Sequence, residues 1–499
     1  MSWLLVLPII IPLVTAAVLF AFGKRTEWQK NFSFASTLFL LLTGILLLVQ
    51  VAKDGILVAQ MGSWRAPFGI SLVADLLSAI MVLITGVMGF AIAIYARKDI
   101  GPRLEHLGFH PVYHVLLAGI NGAFITGDLF NLYVWFEVLL ISSFVLLTLG
   151  GNKAQLKGGV HYVLINLFSS LLFLTAIGIL YGLTGTLNMA DLARQLAGLP
   201  AGLVTTVAIL FLIAFGVKAA VFPLFFWLPS SYHTPPMATT AIFAAMLSKV
   251  GVYALVRAFT LLFTQDPGYT HNLLAWIAAL TMFTGVLGAA AQTDIRKILS
   301  FHSISQIGYM IMGLALFSSL GFIGAVFYIV HHSIVKASLF LVAGLIKREG
   351  GSFELSELGG LYKRKPLLAV LFLILAFSLA GFPPLSGFWA KLIVIRAGLE
   401  AEAYWLVAVS LVVGLLTIYS MTKIWQAVFW KPAESEPVKP VAGSLRPLYM
   451  PIAGLALVTL MIGFFAQPFY VLAESAASQL LNSQLYISSV LGDLIGAKP

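Results

Sequence analysis

Long apolar runs, separated by short groups of charged and turn-forming residues, fill almost the whole chain. A run of about 20 apolar residues is long enough to cross the hydrocarbon core of a bilayer as a helix. The charges, prolines and glycines between the runs predict fourteen such spans. They lie at about 3–22, 31–51, 71–96, 111–127, 129–149, 159–183, 201–228, 237–262, 272–292, 297–316, 319–346, 367–397, 403–430 and 447–473.

Two of the predicted spans are interrupted by residues that break helices. The twelfth span holds four of them, Gly381, Pro383, Pro384 and Gly387, and the seventh holds Pro223. Both interruptions read Phe-Pro, then Leu, then Phe-Trp, which indicates an internal repeat. Irregular backbone inside a membrane is tolerated only where protein or water surrounds it. Paired interrupted spans are therefore typical of the ion pathway of a secondary transporter.

The composition indicates an all-α polytopic membrane protein. Of the 499 residues, 60% are hydrophobic and 10% are charged, and the mean hydropathy is +1.00. A water-soluble globular protein is much less apolar. The absence of cysteine excludes disulfides, zinc–thiolate sites and iron–sulfur ligation by this chain. The net charge of +10 is not a nucleic-acid footprint, because most of the basic residues lie in short loops between spans.

The distribution of lysine and arginine predicts the orientation in the membrane. Loops after odd-numbered spans hold 18 of the 29 basic residues, among them Lys24, Arg25 and Lys30, whereas loops on the other side hold six. By the positive-inside rule the odd loops are cytoplasmic and both termini lie outside. The basic cluster follows the first span rather than preceding it, so this span is predicted to be retained and not cleaved as a signal peptide.

The connections between spans predict no water-soluble domain. The longest of them, at 97–110, 347–366 and 431–446, are too short to bury a core. Two further stretches, 184–200 and 474–499, are predicted either to be short helices on the membrane surface or to be an ordered loop and a tail.

Five lysines fall inside spans, where a charge costs about 2.5–3.5 kcal/mol on insertion scales. They are Lys218, Lys249, Lys336, Lys391 and Lys423. A cost of this size, repeated within one chain, indicates a functional role. Lys423 is different, because its side chain can extend to the cytoplasmic edge near Lys431. We therefore assign it a structural role.

Glu137, in the middle of span 5, is the predicted acidic partner of this set. A carboxyl group surrounded by hydrocarbon is either protonated or close to a cation. Lys218, at the broken span 7, is the natural candidate for that cation. The alternative is a static ion pair with a purely structural role.

Lys249 lies near the centre of span 8 and has no acidic residue on its own helix. Burial and neighbouring positive charges both favour the neutral form of an amine, so we interpret Lys249 as a proton carrier. The alternative is a structural lysine bonded to backbone carbonyls that the break near Pro223 leaves free.

Span 11 carries a predicted proton relay. His332 and Lys336 are one helical turn apart and therefore share a face. An imidazole beside a buried lysine can pass protons, and Ser333 and Ser338 can hold water beside them. His331 points elsewhere on the helix and is as compatible with a packing role. Adjacent histidines with no carboxylate nearby do not predict a metal site.

Other polar residues have weaker assignments. His161 and Asn166 in span 6 are candidates for the equivalent relay position in the first repeat. Asp75, Asp128 and Asp294 lie near span ends, where helix capping explains them. Five histidines in or near loops are expected to be solvated or interfacial: His106, His110, His114, His233 and His271.

Motifs for enzyme chemistry do not occur in the sequence. It has no phosphate-binding glycine loop, no nucleophile elbow and no pair of carboxylates on one helix. The sequence therefore predicts no catalytic residue and no cofactor, and energy coupling must come from an ion gradient or from a partner.

The stretch from Phe109 to Leu132 and the ionisable residues of the spans resemble the antiporter-like membrane subunits of Mrp-type cation/proton antiporters, respiratory complex I and membrane-bound hydrogenases. The resemblance covers essentially the whole chain, and lysine rather than glutamate in the broken span 12 favours the Mrp branch. It implies two inverted five-helix repeats, at spans 4–8 and 9–13, with broken helices 7 and 12. The implied segments are an N-terminal three-helix segment (1–110), the first repeat (111–265), the second repeat (266–430) and the last span with its tail (431–499).

The same resemblance implies a function. It assigns the family's motif positions to Glu137, Lys218, Lys249, His332, Lys336 and Lys391. The implied activity is that of an ion-translocating subunit, not an enzyme, in a multisubunit Na⁺/H⁺ antiporter of the bacterial cell membrane. Its partners would be other membrane subunits, the lipid bilayer, and Na⁺ and H⁺ as transported ions. The alternatives are a redox-driven proton-pumping subunit of a complex I-like or hydrogenase assembly, and a scaffold without conduction.

Overall fold

The computed structural model describes residues 3–432 and 445–492. Two basic residues counted for the orientation, Lys439 and Lys498, lie outside the described residues. So do most of the connection 431–446 and the last part of the predicted stretch 474–499.

Fourteen apolar helices form the body of the described chain, and we number them α1 to α14. Twelve are long and apolar enough to cross a membrane. The two others contain shorter apolar helices, which are α4 itself and the first half of α12. The fourteen predicted spans are therefore confirmed. The helices are α1 Trp3–Ala21, α2 Thr26–Asp54, α3 Leu76–Asp99, α4 Phe109–Ile125, α5 Leu129–Thr148, α6 Lys153–Thr184, α7 Ala201–Ala219, α8 Met237–Leu262, α9 Pro267–Ala291, α10 Ile295–Ala315, α11 Ser319–Gly350, α12 with its halves Pro366–Ala380 and Ser386–Glu400, α13 Tyr404–Trp430 and α14 Arg446–Phe464.

Short elements connect these helices. Strands β1 (Leu57–Gln60) and β2 (Ser71–Ala74) pair antiparallel, with Leu57 opposite Ala74. Residues 71–74, predicted to begin span 3, belong instead to this hairpin. Two helices follow α14, namely α15 (Ala466–Leu481) and α16 (Ser483–Leu491). The remaining short helices are Met61–Ser63, Pro102–His106, Met189–Leu196, Trp227–Ser231, Leu355–Glu357 and Leu361–Arg364.

The core of the bundle is formed by α8, α10 and α11. The whole of α8 and nearly all of α10 and α11 are buried, whereas about half or more of α1, α2 and α6 faces outward. Exposed residues on the outer helices are large and apolar, as bilayer contact requires. The ionisable residues of spans 8 and 11 therefore lie deep inside protein rather than against lipid.

We assign the two inverted repeats to α4–α8 and α9–α13. Equivalent points carry the same local structure: Asp128 precedes α5 and forms a β-bridge with Asn188, and Asp294 precedes α10 and forms a β-bridge with Glu354. Both aspartates cap the helix that follows, as predicted, by accepting from the backbone N–H of Asn131 and of Arg296. The repeat is thus visible in the caps as well as in the broken helices.

The two breaks differ in detail from the prediction. The helix α7 ends at Ala219 because Ala220 takes a left-handed conformation, three residues before Pro223. In α12 the first half ends where Gly381 adopts φ +94°, and Pro383 and Pro384 keep the chain irregular up to Leu385. The prediction that Gly387 is part of this break is wrong.

Gly387 lies inside the second half of α12 and has a packing role. A Cβ atom at this position would lie 1.7 Å from the carbonyl oxygen of Ser378. Only glycine therefore lets the second half of α12 cross so close to the first half.

A buried ion pair joins the beginning of α3 to the last part of α8. Asp75 caps α3 through the N–H of Ser78, as predicted, and also lies 2.6 Å from Arg257 on α8. Arg257 donates to the hydroxyl of Tyr253, which itself donates to the carbonyl of Phe124 at the end of α4. The capping role of Asp75 is thus only part of its contribution, because the same carboxylate compensates a buried guanidinium.

Candidate functional site

Lys218 lies at the end of α7, immediately before the break. Its ammonium donates to the carbonyl of Asn166 at 3.2 Å and to the hydroxyl of Ser170 at 3.1 Å, both on α6. It also lies 5.7 Å from the centre of the Phe136 ring on α5. Three helices therefore hold the ammonium of this half-buried lysine through neutral groups.

Glu137 follows Phe136 and is half-buried. Its Oε1 atom has no hydrogen-bond partner among the described residues, and none of the ion pairs within 4 Å found there includes Glu137 or Lys218. The predicted close pair is therefore open in this structure.

Lys249 is held by a local irregularity of its own helix. Residues Phe243–Leu247 of α8 form a π-helical turn, and the Lys249 ammonium donates to the carbonyl of Ala244 within it. Such π-turns within α-helices are frequent at functional sites because they leave carbonyl groups available. The carbonyl that binds Lys249 thus comes from α8 itself and not from the break near Pro223.

The helices α7 and α8 touch at the level of the two lysines. A Cβ atom on Gly251 would lie 2.3 Å from the backbone nitrogen of Ala219, so only glycine permits this approach. A cavity of about 20 Å³ lies beside the contact, and its walls include Asn166, Lys218 and Gly251. A space of this size holds one water molecule.

A cluster of buried titratable groups continues the row on α10 and α11. His332, Lys336 and His302 are fully buried. Neither ring nitrogen of either histidine, nor the Lys336 ammonium, has a hydrogen-bond partner in the described part of the chain. The helix α11 packs against the π-helical turn of α8, which places the cluster next to α8.

Lys391 lies in the second half of α12 and turns back to the break. Its ammonium donates to the carbonyl of Ala380 at 3.0 Å and lies 5.2 Å from the centre of the Tyr309 ring. The helix end at Gly381 frees this carbonyl from intrahelical bonding. Each broken helix thus keeps one lysine next to its break.

His331 points away from the cluster. Its Nδ1 atom lies 2.8 Å from the hydroxyl of Ser386, which contacts Ser378 at 3.0 Å. These contacts join α11 to both halves of α12 around the break. His331 thus connects the cluster region to the Lys391 region without facing His332.

The secondary candidates lie in different places. His161 is exposed on the outer face of α6, so the structure does not bring it to the site, whereas Asn166 is buried and contacts Lys218. Lys423 reaches the end of α9 that adjoins a basic loop, which agrees with the structural role assigned to it. Its ammonium donates to the carbonyls of Ala290 and Gln292 at the end of α9, at 3.0 and 2.7 Å.

His302 is a site residue that the sequence analysis missed. It lies in α10 within a polar run that an apolar span does not need, formed by Ser300, His302, Ser303, Ser305 and Gln306. This polar run is the sequence signal that could have identified His302 as a candidate. The expectation for three other histidines was wrong: His110, His114 and His271 are buried, at 2%, 0% and 4% exposure.

Inverted repeats with broken helices and a buried row of ionisable groups define the membrane-embedded subunits that move ions in secondary transport. The sequence profile described as NADH:quinone oxidoreductase/Mrp antiporter, TM, matches residues 126–417. The chain belongs to this family and is a multi-pass membrane protein.

The similarity to individual relatives extends over nearly the whole chain. The chain is 47% identical to the D subunit of the Na⁺/H⁺ antiporter from Alkalihalophilus pseudofirmus, over 98% of this chain and 100% of the relative. Among solved structures, it is similar to a chain of the Mrp complex from a Dietzia species, with a TM-score of 0.91, 33% identity, and coverage of 99% and 100%. It is also similar to a chain of respiratory complex I from Thermus thermophilus, with a TM-score of 0.81, 27% identity, and coverage of 96% and 99%.

Proposed function

We propose that this chain is the proton-translocating D-type subunit of a multisubunit Na⁺/H⁺ antiporter. The proposed row runs from Glu137 and Lys218 through Lys249 to the cluster of His302, His332 and Lys336, and ends at Lys391. The observation that carries the proposal is that Lys249, His302, His332 and Lys336 are fully buried in α8, α10 and α11, and that the nitrogens of the last three find no hydrogen-bond partner in the described protein. An unpaired buried polar group costs about 1–3 kcal/mol, so a purely structural core does not retain several of them.

The proposed mechanism is a series of coupled protonations. When Glu137 is close to Lys218, it stabilises the charged form of that lysine. When the pair is open, as in this structure, the positive charge of Lys218 disfavours a proton on Lys249 across the α7–α8 contact. At ~4 Å and an effective dielectric constant of about 20, one unit charge is worth about 4 kcal/mol, which is enough to move a proton from Lys249 to its neighbours.

The cluster and Lys391 complete the pathway. A proton released by Lys249 reaches His332 and Lys336 through water, and His302 shares that water from the α10 side. Lys391 receives it at the second break, where the free carbonyl of Ala380 holds the ammonium. The steps need changes in hydrogen bonding and only small movements of side chains.

Orientation and partners follow from the same reasoning. We assign the basic loops to the cytoplasmic side of a bacterial cell membrane and both termini to the outside. The named relatives are subunits or chains of multisubunit assemblies, so we propose that this chain also works with other membrane subunits. The alternative role in a complex I-like assembly is not favoured, because identity is 47% to the antiporter chain and 27% to the complex I chain.

Removal of the Lys249 ammonium tests the proposal. In vesicles that contain the whole complex, Lys249→Ala should abolish Na⁺-dependent proton flux, measured with a pH-sensitive dye, because the central carrier is lost. Lys423→Ala is the matched control, since it removes a lysine that is bonded to the end of α9 and is outside the row. Full flux in the Lys249 variant, with normal assembly of the complex, would refute the carrier role.

A further inference from the structure

The helix α2 has its polar face buried and its apolar face exposed, the reverse of a helix in a soluble protein. Its buried face carries small polar residues at helical spacing, Gln29, Ser33, Ser36, Thr37 and Thr43. Its outward face carries large apolar residues such as Trp28 and Phe39, with exposures of 64% and 62%. Lipid explains the outward face, but it does not explain why the inward face between Gln29 and Thr43 is polar apart from Leu40.

The facing helix α4 is buried on all sides and carries a matching polar stripe. His110, His114 and Asn121 follow one another at spacings of four and seven residues and therefore share a face. They extend over about 16 Å along the helix axis, at 1.5 Å per residue. All three are at least 98% buried within this chain alone.

Contacts between the two stripes bring α1, α2 and α4 together. The Ser33 hydroxyl lies 2.9 Å from Nε2 of His114, and Thr15 on α1 contacts Ser36 on α2. The Asn121 amide donates to the carbonyl of Pro8, which is left without its helical donor because Pro12 has no N–H. Two polar groups of α1, the Thr15 hydroxyl and the carbonyl of Pro8, therefore meet the polar faces of α2 and α4.

Several polar atoms on this interface remain without partners in the described chain. They are Nε2 of His110, Nδ1 of His114, Oδ1 of Asn121 and Oε1 of Gln29, all inside the bundle. Small hydroxyl residues alone are common where membrane helices pack and need no further explanation. Two histidines and two amide oxygens with unused hydrogen-bonding capacity do need an explanation, and water can supply their missing partners. We call this row of polar groups the polar column; its members are Gln29, Ser33, Ser36, His110, His114 and Asn121.

One end of the polar column lies at the basic-loop face, and the other lies near Tyr253 of α8. At the basic-loop face, Glu105 is 1% exposed and forms an ion pair with Lys30 at 3.0 Å, and Lys30 also pairs with the exposed Glu27. At the opposite end, Phe124 lies one turn beyond Asn121, and its carbonyl accepts from the hydroxyl of Tyr253. Tyr253 lies one turn from Lys249 on α8.

We propose that the polar faces of α1, α2 and α4 enclose a water-filled inlet that carries protons from the basic-loop face toward Lys249, with His110 and His114 as its proton-carrying side chains. This inference rests on the proposed function, because it extends the route of the same protons. The Lys30–Glu105 pair forms the mouth of the inlet, and Asn121 with Tyr253 forms its inner end.

Thiol accessibility tests the water in this inlet without any transport measurement. The chain has no native cysteine, so single cysteines report on their own positions. In the intact complex, Ser33→Cys should react with methyl methanethiosulfonate at least ten times faster than Leu47→Cys, followed by the mass of this chain. Only the thiolate reacts, and it forms where water reaches. Leu47 is the matched control because it is fully buried on the same helix among apolar groups.

Proton flux tests whether the water conducts. In whole-complex vesicles, His114→Phe should lower Na⁺-dependent proton flux at least fivefold, because an apolar ring interrupts the column. His106→Phe, at an exposed histidine near the mouth, should leave the flux unchanged. A thiol-rate ratio below ten overturns the inlet, and so does unchanged flux in the His114 variant. Either result leaves the Lys249 test of the proposed function unaffected, so the two failures can be told apart.

Discussion

At the scale of single residues, the unusual feature is the number of buried titratable groups that lack a protein partner. His302, His332 and Lys336 lie together in the core with unpaired nitrogens. Lys218, Lys249 and Lys391 are bonded only to neutral oxygens. A neutral oxygen accepts a hydrogen bond from an ammonium and also, more weakly, from an amine, so these contacts allow both protonation states. This property is needed in a proton carrier and would be a disadvantage in a structural ion pair.

His302 provides the first test at this scale. His302→Leu should reduce Na⁺-dependent proton flux by about tenfold, because it removes a buried polar group from the side of the cluster that α10 forms. The measurement is dye-monitored flux in vesicles of the assembled complex. The exposed His161 is the matched control, and His161→Leu should keep normal flux. Equal flux in both variants would remove His302 from the pathway.

At this scale the sequence identified most of the candidate site residues, but it did not reveal which groups their side chains contact. Lysine and glutamate in apolar spans stand out because their insertion cost is large. The open state of Glu137 and Lys218 depends on how α5, α6 and α7 pack, which no local pattern encodes. Burial of His110 and His114 was missed for a related reason: the start of α4 lies close to charged residues in sequence, yet it is covered by α1 and α2 in space.

At the scale of helices, irregular backbone positions the lysines. Lys218 precedes the end of α7, Lys249 follows a π-helical turn, and Lys391 returns to the break in α12. Glycines then allow the broken segments to pack closely. Prolines and glycines in long apolar runs revealed the two breaks. The π-turn in α8 contains no such residue, so no local pattern of residues predicts it.

The contact between α7 and α8 can be tested through Gly251. Gly251→Ala places a methyl group against the backbone of Ala219 and forces the helices apart, so flux should fall about tenfold as Lys218 and Lys249 lose their alignment. Gly178→Ala in α6 is the control, since nothing lies within 4 Å of its Cβ position. The readout is flux per assembled complex. Wild-type flux in the Gly251 variant would show that the spacing of α7 and α8 is not critical.

At the scale of the whole molecule, the outward faces of the outer helices are apolar, and most ionisable residues of the spans lie in the interior. The fourteen spans and the repeat were predictable because apolar run length is set by bilayer thickness and the breaks recur in both halves. The core helices α8, α10 and α11 are less apolar than the outer helices α1, α2 and α6, which is the signal that the sequence held for their burial. A helix that faces lipid must be apolar on its outward side, whereas a helix inside the bundle need not be.

The proposed orientation is a prediction for the whole molecule. Arg25 and Lys53 lie at opposite ends of α2 and are both exposed. In right-side-out vesicles, an impermeant maleimide should label Lys53→Cys and leave Arg25→Cys unlabelled until the membrane is permeabilised, because the basic loops are assigned to the inside. The reverse pattern of labelling would invert the topology.

The central claim is that water connects the ionisable groups of the separate helices into one row. The most direct measurement is an electron cryomicroscopy map of the assembled complex at a resolution that shows ordered water. The account predicts water density bonded to the unpaired nitrogens of His302, His332 and Lys336 and continuing from the cavity beside Lys218 to Lys391. Tight apolar packing between these groups, with no density linking them, would contradict it.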